Sequence, residues 1–143
     1  MRNWTAGHIA IVLCSFVNPP SLYAGTLTPQ QQSVVNNLQE EYTACGYYYR
    51  VQIACTPLEG REALKLQLDP ILRALDRAVV LFGQGIGMTN DAMQQRLSRI
   101  AADLGPDTNN SRVNMDSLYG RYQTRCKQLL ENPDAIADEY LRR

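Results

Sequence analysis

The chain has 143 residues, with 14 Lys and Arg against 14 Asp and Glu, a single His, a single Trp and four Cys. That length suits one domain. The charges are interleaved along the chain, which leaves no basic stripe for nucleic acid and no polybasic patch for a membrane surface.

The N-terminal segment differs from the rest. Arg2 precedes an apolar run, Ile9–Val17, which Asn18-Pro19-Pro20-Ser21 breaks before the small residues Ala24 and Gly25. The run is too short to span a bilayer and has the order of a secretory signal, so residues 1–24 are expected to be cleaved. Cleavage would leave residues 25–143 as a single helical domain with no histidine, no tryptophan and no stable membrane span. Loss of Arg2 leaves 13 basic against 14 acidic residues, a net charge of −1. The expected location is periplasmic or secreted.

Thr28-Pro29-Gln30-Gln31 is a helix start, in which Thr28 caps, Pro29 fits the first helical position and Gln31 completes a capping box. Val35, Leu38, Tyr42, Cys45 and Tyr49 follow at helical steps, and Thr56-Pro57 ends the pattern. Gly46 is a weak point inside it. A second helix begins near Glu59 or Gly60 and carries Leu64, Leu68, Ile71, Leu72, Leu75, Val79 and Phe82 inward, with a kink or break expected at Asp69-Pro70. Gly83–Met88 forms the next link. Thr89 or Asn90 caps a third helix with Met93, Leu97, Ile100 and Leu104, ended by Gly105-Pro106.

Asp107–Ser111 has the composition of a loop, and Ser111 is a candidate cap for a fourth helix carrying Met115, Leu118, Tyr122, Cys126 and Leu129. Asn132-Pro133 opens a short last helix with Ile136 and Tyr140 facing in. No segment has the pattern of a strand. The expected fold is all-α, a small antiparallel bundle of four main helices plus a short C-terminal helix.

Three cysteines follow the leader. Cys45 and Cys55 are roughly 15 Å apart on a continuous helix, too far to bond. In an antiparallel bundle Cys126 comes closer to Cys45, so a Cys45–Cys126 disulfide is favoured, with Cys55–Cys126 as the alternative. The first choice leaves Cys55 as a free thiol or an intermolecular link.

Without histidine, Ser-His-Asp and Cys-His mechanisms lose their proton acceptor, and zinc loses its commonest nitrogen ligand. Asp107–Ser111 opens like a calcium loop, but Arg112 stands where glycine is needed and Leu118 where glutamate is needed. The glycines of Gly83–Gly87 follow a helix, the wrong context for a phosphate loop. No metal ligands, cofactor or catalytic residues are therefore assigned. Carboxylate chemistry on Glu40, Glu41 or Glu59 survives as a minor reading, that of a cell-wall hydrolase.

Tyr47 and Tyr48 project about 100° apart beside Arg50, so they are the expected partner-binding surface. Arg121 and Arg125 share a face and have no acid at i±4, which marks them as solvated or as contacts for an anion. The chain is accordingly expected to be an exported binding or accessory protein of the cell envelope with a protein partner. A small apolar ligand held among Leu68, Leu72, Leu75, Phe82, Leu97 and Tyr122 is the alternative.

Overall fold

A computed structural model of the chain describes residues 27–108 and 112–143. The expected leader, 1–24, and the Ser111 cap lie outside the described residues. The described residues are helical with no strand. The described residues form six α-helices, α1 (Pro29–Cys55), α2 (Leu58–Gly85), α3 (Asn90–Thr108), α4 (Arg112–Leu118), α5 (Thr124–Glu131) and α6 (Pro133–Leu141), with a π-helical turn, Tyr119–Gln123, joining α4 to α5.

Helix α1 starts as its sequence dictates. Thr28 accepts a hydrogen bond from the Gln31 N–H, the Gln31 side chain accepts one from the Thr28 N–H, and Pro29 fills the first turn. Its apolar stripe is Val34, Leu38, Tyr42, Cys45 and Tyr48, all buried. Gln39 and Thr43 are buried as well. The helix is enclosed because α2, α3, α4, α5 and α6 all pack on it. A one-sided amphipathic reading understates how much of such a central helix is covered.

Helix α2 runs antiparallel to α1, placing Tyr42 against Phe82 and Arg50 against Asp76. The expected break at Pro70 does not occur, and the helix is continuous. Pro70 is exposed, so the carbonyl it leaves unpaired one turn back lies on the solvent side, where water can satisfy it. The helix ends in a Schellman arrangement: the Met88 N–H donates to the Gly83 carbonyl and the Gly87 N–H to the Gln84 carbonyl. Gly87 takes the left-handed conformation this requires, at φ 74°.

Thr89 then caps α3, accepting from the Ala92 N–H. Gly105-Pro106 does not end this helix, which continues to Thr108. A glycine stops a helix when it turns left-handed, and Gly105 does not do so. The expected fourth helix is divided into α4, the π turn and α5. Asn132 caps α6 by accepting from the Ala135 N–H, with Pro133 at the first position. Cys45 and Cys126 are joined, with Cα atoms 5.5 Å apart, and Cys55 is a free thiol.

Candidate functional site

The three residues expected to form a partner surface are not one surface. Tyr48 is 1% exposed and belongs to the core, Tyr47 is half-buried against it, and only Arg50 is exposed. Tyr48 is drawn inward by two other aromatic rings. Tyr119 meets it edge-on at 6.0 Å and Tyr122 stacks on it at 6.1 Å. Arg50 folds back over Gly46, where an added Cβ would come within 3.0 Å of its Nη1, and its Nη2 donates to both oxygens of Asp76 at 2.6 and 2.7 Å.

Charge converges elsewhere, where α1, α3, the π turn, α5 and α6 meet. Arg125 donates from Nε and Nη2 to Glu41 Oε1 at 2.9 and 2.7 Å, and from Nη1 to Glu139 Oε2 at 2.7 Å. The Tyr140 hydroxyl donates to the same Glu41 oxygen at 2.6 Å. Arg143 closes the far side by donating to Glu139 and, with Arg125, lies over the Tyr140 ring. The hydrogen bond from Arg125, with its charge, holds the Glu139 carboxyl below the usual carboxylate range, against a smaller opposing desolvation. Burial, together with the Glu41 contact, pushes the Tyr140 hydroxyl up to about 12.

This network walls a groove of about 470 Å³ that is also lined by Asn37, Glu40, Asp103 and Tyr122. Helix periodicity assembles it. Asn37, Glu40, Glu41 and Ala44 recur at three and four on α1, as Ile100, Asp103 and Leu104 do on α3. The α3 wall is registered by Arg96, which donates to the Asn36 carbonyl, the Asn36 side chain and Gln39 Oε1. Arg99 pairs with Glu40 at 3.4 Å. The π turn supplies Arg121 and Tyr122, and such turns recur at functional positions in helices.

Arg125 had a signal in the sequence, since it lacks an acid one turn away. Its partners are 84 and 14 residues distant, which no local pattern reveals. Glu41 is an ion-pair partner here, Glu40 pairs with Arg99, and Glu59 lies exposed on α2, so the three carboxylates of the hydrolase reading are not one cluster. The residues of the apolar-carrier reading are likewise dispersed. Leu75 and Phe82 are in the packed core, Leu97 lines a groove with Arg50 and Asp76, and Tyr122 lines the groove beside Arg125.

Among the described residues no group of His, Cys, Asp and Glu is placed to hold a metal ion, and no helix is long and apolar enough to cross a membrane. Comparison of the chain with protein-family models, curated proteins and solved structures finds no match.

Proposed function

We propose that the chain is exported, loses residues 1–24, and works in the periplasm or outside the cell as a non-enzymatic binding or accessory protein of the envelope. The Cys45–Cys126 disulfide supports that location, because such bonds persist in oxidising compartments. The binding site in this reading is the groove beside Arg125. The observation that carries it is preorganisation: Glu41, Arg125, Tyr140 and Glu139 hold one another in place before any partner arrives, so little ordering entropy opposes binding.

The groove favours a protein segment with a basic side chain. Three N–H groups of Arg125 are already committed to carboxylates, whereas Asp103, also lining the groove, has no ion pair among the described residues. A photo-crosslinking residue at Asn37, introduced into the protein in its exporting host, tests the site. One crosslinked envelope protein, lost in Asp103→Lys, is the expected result. Crosslinking that survives Asp103→Lys unchanged, or none at all, counts against the groove. N-terminal sequencing of the exported protein should begin at Gly25, and a chain retaining Met1 would remove the export reading.

A further inference from the structure

Helix α2 presents more apolar surface than the bundle buries. Leu68, Leu75 and Phe82 face inward, while Leu66 on the other side is 76% exposed and Leu58, at the helix start, is 74% exposed. At about 100° per residue, Glu59, Ala63, Leu66, Pro70, Arg73 and Arg77 share that outer side, and all six are exposed. They recur at steps of four and three, the spacing by which two helices meet along a seam.

The charges on this face are segregated. Glu59 and Glu62 lie toward its start, Arg73 and Arg77 toward its end. Glu59 and Arg77 are 18 residues apart, which is five full turns, so they point the same way about 27 Å from each other. Arg73 bonds Asp69 within its own helix, but neither Glu59 nor Arg77 has an ion pair among the described residues.

We infer that a second copy of the chain docks antiparallel on this face of α2, with the two-fold axis passing beside position 68. Turning one helix end for end about that midpoint brings Glu59 of each copy to Arg77 of the other, and Leu66 of each to Pro70 of the other. Leu58 and Val80, both exposed, fall within a turn of one another across the same pair. Beside Pro70 is a groove of about 440 Å³ lined by Tyr49, Ile71, Ala74 and Leu130 and by the paired Lys127 and Glu131, a seat for the incoming Leu66. A parallel copy would set Glu59 against Glu59. Charge that reverses about a midpoint is the self-complementarity an isologous dimer uses. No α2 residue lines the groove beside Arg125, so each copy keeps that site open.

The test is sedimentation velocity over a dilution series of the leader-free protein with reductant present, and helical content checked by circular dichroism. The wild type is expected to dimerise. Glu59→Arg and Arg77→Glu are each expected to weaken the dimer by about tenfold or more, since each reversal sets like charges together at both ends. Leu66→Asp should abolish it. The double variant Glu59→Arg/Arg77→Glu restores both pairs with their signs exchanged, and mixing the two single variants should give a heterodimer. A wild type that stays monomeric up to about 1 mM overturns the inference. So does a dimer indifferent to these reversals, or one seen only without reductant, which would be a Cys55 disulfide.

Discussion

The rings of Tyr48 on α1 and Tyr122 on the π turn lie 6.1 Å apart at an angle of 26°, three and four residues from the bonded Cys45 and Cys126. Disulfide and aromatic stack thus clamp α1 to α5 and to the π turn that leads into it. The bond fixes the register, and the rings fill the space beside it.

Breaking the bond by Cys126→Ser is expected to lower unfolding free energy by about 4 kcal/mol, because the link closes a loop of 81 residues in the unfolded chain. Urea titrations of variant and wild type measure this. Both half-cystines are 0% exposed, so mild reductant should leave the folded wild type intact while opening the bond in urea. Alkylation of the unreduced, denatured protein made without residues 1–24 should modify Cys55 alone.

Neighbouring tyrosines are expected to differ sharply. Tyr48→Ala empties a core position and should cost about 3–5 kcal/mol, whereas Tyr47→Ala, at a half-buried position, should cost about 1 kcal/mol. Chemical denaturation of the two variants side by side decides it, and equal losses would contradict the packing described.

Stability should fall in alkali between pH 10 and about 12. Burial, reinforced by the charge of Asp134, pushes Tyr42 up to about 12, and burial with the Glu41 contact does the same for Tyr140. A phenol whose folded value lies above its unfolded value of 10.0 stabilises the fold fully below pH 10. That contribution is lost as pH rises through the folded value. Glu139 acts in the opposite sense: its carboxyl is held down, so its contribution is present above the unfolded value of 4.5 and fades as pH falls through the folded one. Denaturation curves across pH, with Tyr140→Phe as the control for the alkaline limb, test both signs.

Replacing Arg125 with Met strands Glu41 and Glu139 beside each other and should cost about 1–3 kcal/mol. Arg125→Lys should recover only part of this. An ammonium lacks the fork that reaches Glu41 twice and Glu139 once. Urea unfolding of both variants supplies the comparison, and the acid limb should flatten in the Met variant.

Gly87→Ala should cost about 1 kcal/mol by placing a Cβ at positive φ, although nothing lies within 4 Å of that atom. Gly87→Asn should lose less, since asparagine tolerates this region. Thermal melts resolve the two.

What the sequence discloses is local. Thr28, Asn132 and Thr89 cap helices by bonds to residues three positions on, and such bonds are written in the order of the chain. The cysteine pairing also followed, because helix rise and antiparallel direction suffice to rank distances. The burial of Tyr48 comes from Tyr119 and Tyr122, more than seventy residues away, and no local pattern around Tyr48 discloses it. The groove beside Arg125 was hidden for the same reason. The continuity of α2 through Pro70 rests on the bundle leaving that side of the helix uncovered, a fact about how the helices assemble.

The π turn at Tyr119–Gln123 also governs rotational phase. In an unbroken α-helix Leu118 and Cys126, eight residues apart, would point about 80° away from each other. Both are buried, and the wider winding of the π turn takes up roughly one residue of rotation between them. The segment behaves like a gear with one extra tooth. Deleting exposed Gly120 would remove no core atom and would leave Leu118 and Cys126 seven residues apart, about 20° from alignment in plain α-helix, so the π turn could relax to α-helix with both residues still buried. An added residue has no such route: it would turn Met115 and Leu118 by about 100° from the interior while Cys126 stays tethered, so chain length here tolerates a loss and not a gain.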